Sequence, residues 1–460
     1  MSTSNLSRYF GFQEPVDRRT YLRAGVVLMV VKYIVDVTVI HSVTGIVWTP
    51  ADYLLPLLSV RATKVQAFPT WLSIGLIVWT LPFIWIGVSM TLRRAVDAGK
   101  SPWNSLLFFL PLVNYALMLW LSSLPTAISR RAPRRVEVDP TDRIRSALLG
   151  IAASIVIGPL IVAAATLMMR SYGLTLFLAT PFVLGGVTAY VHNHGHPRSA
   201  GETTGVVMVS LFIVGSTLLL FALEGVVCVL MAAPIAIVAA ELGGIVGRYA
   251  AIYGSNPPQS AAFLAIILPA GFVADRIAPA PPVYQAVTSI VVNAPPERVW
   301  EHVIRFHDIA SRPSVLFRLG IAYPIRARIT GSGVGAIRRC EFSTGAFVEP
   351  ISRWDAPHTL SFGVTSQPAA LRELSPYRHV YAPHVKGFFK ARRGEFRLTS
   401  LPGGRTRLEG STWYSLEIYP NAYWRPFAEL IVTQIHRRVL EQVKRESELD
   451  FSEYNTVHEQ

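Results

Sequence analysis

The chain has 460 residues, is 51% hydrophobic and carries a formal charge of +14, with a mean hydropathy of +0.38. An average this apolar excludes an ordinary soluble enzyme. The charge excludes less: no helix-turn-helix, zinc or RNA-binding signature accompanies it, and loops that gather Lys and Arg beside anionic lipid account for it without nucleic acid.

Uncharged runs of about twenty residues, the length that crosses a bilayer, recur before residue 275 and are absent after it. The first 23 residues are polar and carry Arg8, Arg18, Arg19 and Arg23. The run behind them has no nearby small-x-small cleavage site, so it reads as a retained span and not as a signal peptide. Spans are expected at 24–40, 71–91 and 103–124, with a semi-polar stretch at 41–68 and a possible interfacial helix at 53–60.

Phe10-Gly11-Phe12, Arg19 and the stretch from Leu92-Arg93-Arg94 through Asp97, Gly99, Lys100, Ser101 and Trp103 give residues 1–125 a resemblance to the small multi-span family DUF805. Where that family reads Leu-His after its arginine pair, this chain has Ala95-Val96, and Pro102 replaces a Gly. The family has no established activity, so the resemblance implies membrane helices and no chemistry.

A basic linker, 126–146, follows with Arg130, Arg131, Arg134, Arg135, Arg143 and Arg145. Further spans are expected at 147–168, 174–191, 205–223, 226–240 and, more weakly, 261–273, giving seven or eight in all. Eight would place both termini inside the cell. The basic N-terminus and the basic linker, three spans apart, both ask for the inside, so the positive-inside rule does not fix the count.

Ionisable groups within spans are functional candidates by default. Lys32 and Asp36 lie one turn apart and can pair, and Glu241 precedes Gly243, Gly244 and Gly247. An ion path and a structural ion pair with an interfacial Glu both remain open for them. His192, His194 and His196 alternate as in an extended metal-binding run. A loop between spans tolerates such residues equally, so no metal site is assigned and no cofactor is implied.

The Pro-rich tether 276–283 leads into a different kind of sequence. A β-branched strand at 284–292 precedes a helix started by Pro295-Pro296-Glu297, with an acid near its positive end. Strands are expected at 326–330, 335–342, 346–354, 359–365, 387–399 and 405–418, the last two joined by Pro402-Gly403-Gly404. A closing helix at 421–448 carries Phe427, Ile431, Ile435, Val439 and Val443 in steps of four, so one side must pack on the sheet.

Ile290 to Trp300, Gly333-Val334-Gly335 with Arg338, Gly345 to Ile351 with Trp354, and Gly394 to Gly410 then give a second resemblance. It is to the START-like superfamily (SRPBCC; polyketide cyclase/dehydrase and lipid transport), and it implies the helix-grip fold with a cavity between helix and sheet. The expected order is thus a DUF805-like region (1–125), the linker, a second helical region (147–275), the tether, an α+β helix-grip domain (284–450) and a tail (451–460).

Candidate cavity residues are Trp300, Phe347, Glu349, Phe362, Phe388, Phe396, Trp413, Phe427, Ile431 and Ile435. Ordinary core packing competes with that reading for each aromatic. Glu349, if it points inward, needs a partner such as Arg338 or Arg397. His379 and His384 are the candidates for acid–base chemistry, and they fit a loop at the cavity mouth equally well.

The leading expectation is a multi-pass protein of the cell membrane whose cytoplasmic C-terminal domain binds a hydrophobic small molecule or lipid. A cyclase- or dehydrase-like enzyme acting in the same cavity is the alternative, as is a transporter or sensor regulated by that domain.

Overall fold

The structure, a computed structural model, describes residues 9–10, 16–54, 64, 68–109, 113–127, 140–168, 172–221, 223–253, 257–277, 280–374 and 387–458. It divides into two compact units: Met1–Leu223 with Cys228–Pro279, and Ala280–Gln460 with Glu224–Val227.

The first unit is helical: α1 (Arg18–Thr44), α2 (Pro50–Leu54), α3 (Thr70–Asp97), a 3-10 helix (Pro102–Phe109), α4 (Val113–Ser123), α5 (Pro140–Ala163), α6 (Thr180–Asn193), α7 (Ala200–Leu220), α8 (Val226–Tyr253) and α9 (Pro257–Ile277). The ends follow local chemistry. Asp17 caps α1 by accepting from the Thr20 amide at 2.7 Å, and Gly45 closes it at φ 69°.

Among the described residues six helical stretches are long and apolar enough to cross a membrane: Arg18–Thr44, Ile74–Asp97, Asp142–Thr166, Thr175–Asn193, Ala200–Leu220 and Val226–Tyr253. Their exposed side chains include Val27, Ile34, Phe212, Leu220 and Leu230. Lipid accommodates such a surface and water does not.

The expected third span at 103–124 differs. It is a 3-10 helix followed by the 11-residue α4, which at 1.5 Å per residue reaches only about 16 Å, half a hydrocarbon core. Residues 110–112, between the two, lie outside the described residues. The expected span at 261–273 is part of α9 but is not among the six. Near the linker, α5 begins at Pro140, earlier than expected.

Helices α6 and α8 pack through glycine. A Cβ at Gly243 or Gly247 of α8 would land on the carbonyl of Phe182 or Gly186, and one at Gly185 on that of Ala240. Only residues without a side chain let the two backbones approach this closely, as in small-xxx-small helix pairs in membranes.

The second unit comprises β1 (Val283–Val292), α10 (Pro296–Ile304), α11 (Val315–Arg318), β2 (Pro324–Thr330), β3 (Ile337–Phe342), β4 (Gly345–Asp355), β5 (Thr359–Gly363), β6 (Phe389–Leu401), β7 (Arg405–Leu416) and α12 (Asn421–His458). The strands form one antiparallel sheet in the order β1-β7-β6-β5-β4-β3-β2. Gly403 and Gly404, at φ 80° and 68°, supply the left-handed pair that a tight β6–β7 hairpin needs.

The sheet curls and α12 packs on β1, β2 and β7 as well as on α10, the helix-grip arrangement. Val292, Val299, Leu360, Leu408, Leu440 and Val443 are completely buried at its centre. Each contributes roughly 1.5–3 kcal/mol of burial.

Candidate functional site

Alternation along the strands decides which side chains face α12. Residues opposite one another on neighbouring strands share a face. The register pairs Arg338 with Glu349 and Cys340 with Phe347 across β3 and β4, Phe362 with Gly394 across β5 and β6, and Gly394 with Thr412 across β6 and β7. A Cβ at Gly394 would run into the Phe362 ring, so glycine there makes room for the phenyl group. From the other side α12 supplies Val432, Ile435, His436, Val439 and Leu440. Between helix and sheet lies a cavity of about 110 Å³.

Five phenylalanines line it: Phe342, Phe347, Phe362, Phe389 and Phe396. Set into that wall is an ion pair. Arg338, 2% exposed, donates from Nη1 to Glu349 Oε2 and from Nε to the Ile304 carbonyl at 3.3 Å. Its guanidinium lies 5.8, 5.3 and 5.5 Å from the ring centroids of Phe306, Phe362 and Phe396, within cation–π range. Burial pushes the Glu349 carboxyl above its ordinary value, and the Arg338 charge pulls in the other direction. Burial, with the nearby Glu349 charge, pushes the Cys340 thiol up to about 12, so it is a neutral lining group and not a nucleophile.

His436 is the other polar feature. Its Nε2 is 2.7 Å from Thr412 Oγ1 and its Nδ1 is 3.2 Å from Thr288 Oγ1. Burial lowers its pKa to about 4, so the ring is neutral, with one nitrogen donating and the other accepting. Bordering the cavity on β6, Glu395 accepts from Ser361 Oγ at 2.9 Å, from Arg397 Nη2 at 2.9 Å and from Arg393. Burial would raise the Glu395 carboxyl, but these three donors hold it below the usual range.

A cavity walled by strands β3 to β7 and one long helix, with a few fixed polar groups, is the form of a small-molecule site. Residues 284–448 match the family described as polyketide cyclase / dehydrase and lipid transport. Residues 9–132 match DUF805, a protein family of unknown function. No curated protein matches the chain.

Solved structures similar to it include a protein from Nitrosospira multiformis at 21% identity, covering 35% of this chain and 94% of that one at a TM-score of 0.22. The Zhui aromatase/cyclase from Streptomyces sp. R1128 is 15% identical over 36% of this chain and 94% of that one, with a TM-score of 0.24. A norcoclaurine synthase point mutant from Thalictrum is 13% identical over 38% and 99% respectively, also at 0.24.

Of the cavity residues expected from sequence, Phe347, Glu349, Phe362, Phe396 and Ile435 come together in the lining. Trp300 is packed edge-on against Trp354 at 5.8 Å in the core. Trp413, next to Thr412 and on the opposite face of β7, lies under the Arg393 guanidinium at 4.7 Å. Phe427 packs on Tyr423 and Trp424, while Phe388 and Ile431 are half-buried outside the cavity lining. Of the two arginines offered as partners for Glu349, Arg338 is the one in contact and Arg397 serves Glu395.

Residue type and spacing alone do not single out His436 and Thr412. One signal existed: His436 is four residues from Val432 and from Leu440, on the stripe that packs inward. His379 and His384 lie outside the described residues.

In the first unit Lys32 and Asp36 do pair, and the Tyr53 hydroxyl donates to the same Asp36 oxygen. Glu241 accepts from Thr204 Oγ1 at 2.9 Å. His192 meets Ser146 at 3.1 Å, His194 stacks on Tyr190 at 5.4 Å, and His196 is exposed. Among the described residues no group of three or more His, Cys, Asp or Glu is placed to hold a metal ion.

Proposed function

We propose that the C-terminal domain binds a compact hydrophobic molecule in the cavity between α12 and the sheet. The apolar helices hold it at the cell membrane as a multi-pass anchor, with the domain on the cytoplasmic side. The observation that carries this reading is the cavity itself: five phenylalanines and an aliphatic helix face around about 110 Å³. A space of this size suits a ring or the end of a chain better than a whole lipid. Attachment to a bilayer, where such molecules partition, raises their local concentration at the site.

Binding is favoured over acid–base catalysis because His436, the histidine among the described cavity residues, is held neutral by burial with a pKa near 4. That is far from the value that suits a general base near neutral pH.

The test is solvent extraction and mass analysis of the full chain, purified in lipid nanodiscs, beside the Val432→Trp and Phe396→Trp variants that fill the cavity. A small apolar compound present in the parent protein and reduced at least tenfold in both variants supports the proposal. Identical extracts from all three overturn it, since compounds held by the helices are unaffected by either change.

A further inference from the structure

Every charge bordering the cavity has a partner of opposite sign. The described charged residues that line it are Arg338, Glu349, Arg393 and Glu395. Arg338 pairs with Glu349, whereas Glu395 is shared by Arg393 and Arg397 on the face of β6 opposite Gly394 and Phe396. The remaining donors and acceptors are neutral. His436 is fixed between Thr288 and Thr412, and Cys340 is a buried thiol.

Arg338 has a further consequence for what fits. Its guanidinium is committed to Glu349, to the Ile304 carbonyl and to three phenyl faces. A carboxylate entering the cavity would shed its water and find no uncommitted cation there. Burying such an ion unpaired costs far more than burying a neutral amide or hydroxyl that finds one hydrogen bond. The Thr412 hydroxyl offers that bond: it lines the cavity, and a hydroxyl engaged once with the His436 ring keeps further hydrogen-bonding capacity.

We infer that the cavity selects uncharged ring compounds bearing a single hydrogen-bonding group and rejects their carboxylate counterparts, with the Arg338–Glu349 pair setting that charge preference. The inference rests on the proposed binding function and adds the ligand class. It also makes Glu349 a specificity residue: without its negative charge, Arg338 becomes a free cation facing the same space.

The test uses two probes of nearly the same shape, benzamide and benzoate, titrated calorimetrically into the full chain in nanodiscs at pH 7, with empty nanodiscs as blank. Benzamide is expected to bind at least tenfold more tightly than benzoate. In Glu349→Gln the preference is expected to reverse in favour of benzoate by a similar factor.

Benzoate binding as tightly as benzamide to the parent protein overturns the charge preference while leaving hydrophobic binding intact. Binding of neither probe overturns the inference as well, and the extraction comparison then stands or falls separately. The parent protein's preference decides the matter even where Glu349→Gln fails to fold.

Discussion

Arg94 and Arg338 are both buried beside a carboxylate, one in each unit, yet they are surrounded differently. Arg94, 0% exposed, pairs with Asp97 and spends its other donors on the backbone carbonyls of Leu121, at 2.9 Å, and Leu124. Asp97 in turn accepts from Thr126 Oγ1, and its carbonyl accepts from the Ala127 amide, both at 2.8 Å. The pair ties the end of α3 to the chain leaving α4. Arg338 has the same chemistry with one backbone carbonyl, and its remaining surroundings are phenyl rings at the edge of an open space. A buried ion pair closed by backbone is a structural tie. One placed against a cavity sets the electrostatics of whatever enters.

The sharpest way to break this comparison is Arg94→Met. It leaves Asp97 buried without its cation and two carbonyls without donors, a loss of about 3–5 kcal/mol. The check is thermal unfolding of the full chain and its yield from membranes; a shift below about 1 kcal/mol would show that the tie is not structural.

The next effect separates the two sites. Arg338→Met alone is expected to cost about 3 kcal/mol, and the double change Arg338→Met with Glu349→Leu to recover most of it, because apolar replacements of a buried pair are commonly tolerated. The corresponding double change at Arg94 and Asp97 is expected to recover little, since Leu121 and Leu124 stay unsatisfied. Equal recovery at both sites, read by the same melts, would erase the distinction.

A smaller effect comes from His436. Its folded pKa near 4 lies below the ordinary value of 6.5. Between those values the unfolded chain binds a proton that the folded chain does not, so stability is fully present above pH 6.5 and is lost as pH falls towards 4. The loss is about 2–3 kcal/mol. His436→Gln is expected to flatten this part of the stability–pH curve; an unchanged slope between pH 7 and pH 4.5 would remove His436 as its source.

Much of this architecture is legible in the residues. Alternating β-branched strands, the Pro402-Gly403-Gly404 turn and the four-residue spacing on the closing helix all appear where local pattern and tertiary packing agree. The cavity was legible only in part. Parity along a strand separates Thr412 from Trp413, but residue type favours the large aromatic while the small hydroxyl faces the space. On α12 the buried line passes through Val432, His436 and Leu440. A histidine on an apolar stripe reads as an interruption until Thr288 and Thr412 are seen beside it. The broken stretch from Pro102 to Ser123 has the hydropathy of one span, because hydropathy counts apolar residues and ignores how far they reach.

The strand order carries a consequence for how the domain is made. β1 pairs along its whole length with β7, from Val283 against Ser415 to Val292 against Thr406. As the chain leaves the ribosome, β1 is among the domain's first elements to emerge, and its permanent neighbour is the last strand. Local hairpins from β2 to β7 have partners nearby, whereas β1 must wait while all of them are synthesised, and long-range closure of this kind slows folding. During that interval β1 presents an unpaired edge, and the helical segments ahead of it have already been made.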